Sequence, residues 1–355
     1  MATSGTIATT VFKTRKVVDQ AYRRCRLPAQ SITGEMLENA LTELQLMLPA
    51  WLNKQLPLWC QTKYIIGLTE GVYSVVLPVG VIDVLDVNMR TTTRLTEGTA
   101  TSSTGNADLA FDADLATTCD LTGVIGQNIT LELNEAASVQ TTGVLPATSG
   151  TYSLDFQYLN EDGVTWVSYH LDTAVVLVAN EWFWFDAQGI PLTALGYRMV
   201  LNTASALSVR ELVFANRGNE INMARINRDD WFYLPDKYVR GRPVQFWLDR
   251  QRVQAIMNIW PSPEAQFIYS QITMIGARQI MDVGTLNQEI EVPQLWWDAL
   301  VCGLAERLAI ITPEVKPEMI KITKEMAADS LALAFAENRD RSPINIVVDI
   351  SPYTS

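Results

Sequence analysis

Apolar residues recur at three- and four-residue steps near both ends of the chain and at two-residue steps through its middle. Over residues 14–27, Val17, Val18, Ala21, Tyr22 and Cys25 share one stripe while Arg15, Asp19, Arg23 and Arg24 face away. That spacing predicts an amphipathic helix ended by Pro28. A second helix is predicted over 31–55, with Thr33 as its N-cap and Leu37, Leu41, Leu44, Leu48 and Trp51 along one face. Pro49 is expected to kink or interrupt it near its end. The period then changes. "KYIIGLTEGVYSVVLP" holds two short strands around the turn signal Glu70-Gly71, and "VIDVLDVNMR" alternates as a third. A small sheet packed on the helical pair is the expected arrangement.

From about residue 96 the run "TEGTATSSTGNADLA" is rich in Thr, Ser and Gly, as a linker or long loop is. Strand signals alone follow to about residue 218: "NITLELN", "TYSLDFQYLN", "TWVSYHLD", "EWFWFD", "YRMVLNT" and "VRELVFA". An all-β sandwich of about 120 residues fits them. "RPVQFWLDRQ", "QAIMNIWPSP" and "AQFIYSQITMIGARQI" read as further strands of the first sheet. Two helices close the pattern. One carries Trp296, Leu300, Leu304, Leu308 and Ile311 on a face; the other has Pro317 in its first turn and Met319, Ile322, Met326 and Leu333 along a stripe. The tail's apolar strip "INIVVDI" has no core of its own and would be ordered by docking, for instance on a neighbouring subunit's sheet edge.

The expected fold is therefore α+β. Two N-terminal and two C-terminal helices form a four-helix core with a small antiparallel sheet, and an all-β jelly-roll sandwich is inserted. The segments are 1–95, the first half of the core; 96–218, the insert; 219–340, the second half; and 341–355, a docking tail.

Bulk properties narrow the function classes. With 355 residues, two or three domains are expected, and 48% hydrophobic against 19% charged residues makes the chain globular. A formal net charge of -12 opposes gripping a phosphate backbone, though an acidic wall suits DNA that only slides past. Four scattered cysteines, Cys25, Cys60, Cys119 and Cys302, and the single histidine, His170, offer no zinc spacing. Free thiols of this kind fit assembly in a reducing cytoplasm. The N-terminus has no signal-peptide pattern, and "VVLPVGVIDVLDV" is too short and too polar to span a bilayer.

His170 lies in a strand-like stretch and reads as structural. No nucleophile elbow, phosphate loop or dinucleotide fingerprint occurs, and no enzyme activity is expected. In 225–252 seven basic residues face four aspartates, an excess of three, interleaved with aromatics. Such mixed signs suit ion pairs within or between subunits better than a phosphate track. The subunit-interface candidates are Arg228, Asp229, Asp230, Arg240, Arg242, Asp249 and Arg250, with Phe232, Tyr233 and Trp247 as core or interface anchors.

Three regions together resemble the head-to-tail adaptor (connector, or neck) proteins of tailed bacteriophages. They are the N-terminal helical pair running into "LPLWCQTKYIIGLTEGVYSVVLPVGVIDVLDVNMR"; "INRDDWFYLPDKYVRGRPVQFWLDRQRVQAIMNIWPSPE"; and "VPQLWWDALVCGLAERLAI" with the last helix and "ENRDRSP". The resemblance implies a virion structural protein of the neck or tail, assembled in the host cytoplasm as a homo-oligomeric ring, usually of twelve copies. That ring would join the portal above to a tail or nozzle protein, or fibres, below, and line a channel through which genomic DNA is ejected without sequence-specific binding. Arg339, Arg341, Ile344, Ile346, Val347, Val348, Ile350 and Tyr353 would then dock the portal or a neighbour. No membrane partner is expected.

The insert is similar to a discoidin or galactose-binding-like jelly roll, through "NADLAFDADLATT", "YSLDFQYLNEDGVTW" and "GYRMVLNTASALSVRELVFA". That likeness implies an alternative function, a virion-associated carbohydrate-binding protein that aids host adsorption. In carbohydrate-binding members the first loop helps hold a structural calcium, and Asp112, Asp114 and Thr117 stand at the matching positions. The loop departs from that pattern in reading Asp-Ala-Asp where glycine is usual between the acids, and in having Cys119 near the usual tryptophan. No other cofactor is expected.

Overall fold

The computed structural model describes residues 11–54, 56–187 and 192–338. Within them the chain is mostly β, with eighteen strands and five α-helices. It divides into two compact units, residues 1–61 with 277–355, and residues 62–276. The tail candidates Arg339 to Tyr353 lie outside the described residues.

The first unit is helical. Helices α1 (Thr14–Arg24), α2 (Gly34–Lys54), α4 (Trp297–Ile311) and α5 (Pro317–Glu337) contribute to one hydrophobic core. Val17, Val18, Ala21, Tyr22 and Cys25 are buried as the periodicity requires, and Thr33 caps α2 by accepting the Met36 N–H at 3.3 Å. Helix α2 continues through Pro49 to Lys54. Trp296, just before α4, and Leu300, Leu304 and Leu308 on it are buried while Ile311 is exposed. Helix α5 departs further from expectation. Its buried side is Met319, Thr323, Ala327, Ser330 and Ala334, so Ile322, Met326 and Leu333 face out. Small residues let α5 lie close to its neighbours, and the bulky stripe is left over.

The second unit holds strands β1 (Gln61–Gly67), β2 (Ser74–Val76), β3 (Val81–Arg94), β4 (Gly98–Ser102), β5 (Cys119–Leu121), β6 (Gln127–Val139), β7 (Thr141–Pro146), β8 (Gly150–Leu159) and β9 (Trp166–Leu177). They are followed by β10 (Phe183–Asp186), β11 (Leu192–Leu201), β12 (Leu207–Asn222), β13 (Ala224–Arg225), a short helix α3 (Arg228–Tyr233), β14 (Arg240–Gly241), β15 (Gln245–Asp249), β16 (Ile256–Trp260), β17 (Ser262–Pro263) and β18 (Gln271–Arg278). A five-stranded sheet runs β4-β6-β11-β8-β9. A seven-stranded sheet runs β1-β18-β3-β12-β7-β10, with β5 also on β12. Ile129, Leu131, Leu154, Phe156, Tyr197 and Met199 from the first sheet meet Val144, Leu207, Val209, Leu212 and Phe214 from the second, which makes the expected sandwich.

Strand β12 explains why the compact division falls at 61/62 and 276/277 rather than at 95/96 and 218/219. Its first half pairs with β5 and β7, and its second half pairs antiparallel with β3, from Ala215↔Arg94 to Asn222↔Asn88. One strand thus belongs both to the sandwich and to the sheet beside it. Around "ELVFA" it is buried on both faces. Leu212 and Phe214 enter the sandwich core, while Val213 and Ala215 join Trp184 in a second cluster with Ile65, Trp182 and Tyr269. The flanking strands cover the sandwich's outer face and fuse to it. A third cluster fills the space between β3 and β18 and the four-stranded sheet β13-β15-β16-β2.

One sequence expectation fails locally, and one element was not expected at all. The Thr- and Ser-rich run after residue 96 includes β4, an edge strand paired with β6 from Gly98↔Leu133 to Ser102↔Ile129. An exposed edge needs no apolar alternation, so its composition resembles a loop. Residues 228–233 form α3, whose cap Asn227 accepts the Asp230 N–H at 2.8 Å with Asp229 and Asp230 in the first turn.

Candidate functional site

The densest gathering of aromatic and charged side chains lies on β10 in the second unit. This edge strand pairs antiparallel with β7, Trp184 opposite Gly143 and Asp186 opposite Thr141. Strand alternation sends Phe185 into the sandwich core and places Trp182, Trp184 and Asp186 on the opposite face. The Trp184 ring lies against the bare backbone of Gly143, where a Cβ would stand 2.5 Å from the ring carbons. Trp182 stacks on Trp184 with centroids 5.0 Å apart and meets Tyr269 edge-on at 5.8 Å. Gly67 of β1 makes room for Trp182 in the same way.

Asp186 is held by cations. Lys63 Nζ and Arg90 each donate to it at 2.7 Å, and Arg217 stands at 3.7 Å. Burial alone would raise this carboxyl, but Lys63, Arg90 and Arg217 outweigh it and hold it below the usual carboxylate value. Arg90 is 1% exposed; it also donates through Nε to Glu220 at 2.7 Å and to Gln271 Oε1 at 3.3 Å. Gln271 in turn donates to the Thr141 hydroxyl, which donates to the Phe185 carbonyl. The network therefore fixes β10 from behind. On the adjoining wall, His170 stacks on Phe185 at 3.9 Å, with Nε2 2.9 Å from Asp172. Both the ring face and Nε2 of the single histidine are engaged, in keeping with a packing role.

Between β1 and β10 these groups line an open cleft of about 450 Å³, floored by Trp182, Phe183 and Trp184 and edged by Lys63, Tyr64, His170 and Asp186. Partly exposed rings beside fixed polar groups can stack the apolar face of a ring-shaped ligand and hydrogen-bond its rim. None of these residues except His170 was singled out from the sequence. The signal was present in "WFWFD", where alternation aligns Trp182, Trp184 and Asp186; their partners, tens of residues away, were not legible.

A buried polar cluster sits further along β12. Glu211 is fully buried and pushed up to about 7 by burial, with Arg94 at 3.3 Å opposing the shift and Asp112 adding to it. The Arg94 guanidinium lies 4.0 Å from the Tyr269 ring centroid. Glu211 and the Tyr269 hydroxyl are buried beside each other.

The calcium candidates are brought together in part. Around Thr117 Oγ1 lie Asp112 Oδ2 at 3.0 Å, Asp114 O at 2.9 Å and Leu109 O at 3.3 Å. One hydroxyl proton serves only one of these at a time, and Asp112 Oδ1 also accepts the Asp114 N–H at 2.8 Å. The Asp114 carboxylate is instead taken by the Ala116 N–H at 2.9 Å. Among the described residues no three His, Cys, Asp or Glu side chains form a group able to hold a metal, so carbonyl and hydroxyl oxygens would carry the site.

Two of the interface candidates form ion pairs within this unit. Arg240 bonds Glu70, and Arg250 bonds Asp83, which also takes Arg225 at 3.0 Å. Asp249 accepts from Gln251 at 2.6 Å, and Arg242 Nε is buried without a partner. Arg228 lies 5.6 Å from the Phe232 ring, and Asp229 and Asp230 sit in the first turn of α3. Trp231 is the buried anchor of that helix, stacked on Trp247 at 5.9 Å, whereas Phe232 and Tyr233 are 58% and 83% exposed. Among the described residues no helix is long and apolar enough to cross a membrane.

No family model matches the chain, and no curated protein matches it. Among solved structures it is similar to chitosan-binding module 1 of a Paenibacillus sp. IK-5 chitosanase/glucanase, at 21% identity and TM-score 0.30, over 36% of this chain and 99% of that one. A family 32 carbohydrate-binding module of Clostridium perfringens NanJ, in complex with galactose, matches at 17% and 0.29, over 36% and 99%. The corresponding module of AlyQ, in complex with 4,5-unsaturated mannuronic acid, gives 18% and 0.29, over 34% and 97%. Scores this low carry no functional weight.

Proposed function

We propose that the chain is a binding protein, not an enzyme, and that its second unit binds carbohydrate in the cleft between β1 and β10. The observation that carries this reading is the partly exposed Trp182, backed by Trp184, beside the Asp186 carboxylate that Lys63 and Arg90 fix in place. Sugar rings present an apolar C–H face and a rim of hydroxyls, and this cleft offers the complement of both. A glycan array probed with the full chain tests it. Binding that Trp182→Ala removes supports the reading, and an array without a binder rejects it.

Calcium belongs to the same reading as a structural ion on Asp112, Thr117 and the Leu109 and Asp114 carbonyls, where it would stiffen the loop. Added calcium is expected to raise the melting temperature, and Asp112→Ala to abolish the rise. An unchanged melting curve counts against the ion.

A second reading is favoured by the outward stripe of α5, where Ile322, Met326 and Leu333 are 42%, 41% and 70% exposed. Three large apolar side chains left exposed along one helix suit a protein neighbour. It suits a virion structural protein, a head-to-tail adaptor of twelve copies below the portal, with the tail from Arg339 to Tyr353 docking on the portal and DNA passing through the ring. Native mass measurement of the purified protein tests self-association, and cryo-EM of a virion neck tests the position.

A further inference from the structure

The ion-pair network at the Asp186 end of the cleft holds more cations than carboxylates, in a chain whose net charge is -12. Lys63, Arg90 and Arg217 stand against Asp186 and Glu220, three cations to two carboxylates, for a local balance of +1. That balance is not easily lost. Arginine does not shed its proton in proteins, and protonation of either carboxylate only makes the site more positive. Arg90 is fully enclosed and committed to Asp186, Glu220 and Gln271. The side chains of Lys63 and Arg217 are different, at 50% and 35% exposed. Each approaches Asp186 from the solvent side with donor capacity to spare, since an ammonium has three N–H donors and a guanidinium five.

Resting on the carbohydrate reading, we infer that the ligand of this cleft is an acidic saccharide, its anionic group received by Lys63 and Arg217 and its ring lying on Trp182. Charge-assisted hydrogen bonds in a half-buried cleft supply affinity that a neutral sugar forgoes. The acidic surroundings favour only a ligand that reaches this island, which adds selectivity. A carboxylate and a sulfate ester share the required chemistry.

The test uses the full chain with oligogalacturonate, the same oligosaccharide methyl-esterified, and heparin oligosaccharides with and without their sulfate groups. The expected result is binding of at least one acidic probe about tenfold or more tighter than its neutralised counterpart, an advantage that shrinks as salt rises. Which pair shows it distinguishes carboxylate from sulfate. Lys63→Gln, which leaves Arg90 on Asp186, should remove most of that advantage, read as the ratio of acidic to neutral affinity within the variant; Arg217→Gln provides an independent second variant. Equal affinity for acidic and neutral forms overturns this inference and leaves the carbohydrate reading standing. No binding of these probes or of any array glycan overturns both.

Discussion

Gly143 and Gly67 give two indole rings the space that any side chain would occupy. A Cβ on Gly143 would lie 2.5 Å from two carbons of the Trp184 ring and 2.7 Å from a third, so Gly143→Ala must displace the ring or part β7 from β10. A loss of about 1–3 kcal/mol in folding stability is expected from such overpacking, together with weakened ligand binding; urea denaturation measures it. Glu211 sets a pH dependence. From its ordinary 4.5 up to about 7 the unfolded chain gives up a proton that the folded chain keeps, so stability falls as pH rises through that window and levels off above it. The full effect is on the order of 3 kcal/mol, and Glu211→Gln should flatten it. Asp186 acts in the opposite sense. Its lowered value contributes stability above the ordinary carboxylate range that is lost as pH falls. Denaturation curves across the acid and neutral range separate the two.

Elements were legible where burial imposed a period. The helices α1, α2 and α4 and the strands β6, β8, β9 and β12 carry repeating apolar faces, and each forms near its expected place. Edge and capped elements were not legible. Strand β4 buries too little to show alternation, and α3 is announced only by Asn227 and two aspartates. Helix α5 carries the opposite lesson, because period alone does not say which of two faces is covered. Ala327, Ser330 and Ala334 face the core, and the bulky stripe faces out. Replacing Ile322, Met326 and Leu333 with serine should leave the melting temperature within a few degrees of the parent and, on the proposed oligomeric reading, abolish self-association. Analytical ultracentrifugation checks this, and an unaltered oligomer would remove α5 from the interface.

Across the whole chain, the succession of helices, strands and helices was readable, but the compact division was not. It depends on β12 pairing with β7 at one end and β3 at the other, a long-range register that no local pattern announces. The cleft inherits that difficulty. Its alternating Trp182, Trp184 and Asp186 are close in sequence, while Lys63 and Arg90 arrive from strands that precede the insert and Arg217 from the insert's last strand. Isothermal titration of an array-selected saccharide into the parent chain and into Trp182→Ala tests the central claim most directly. The expected result is saturable binding that weakens about tenfold or more in the variant, with the variant still folded at the titration temperature. Equal affinity in the two proteins would contradict it.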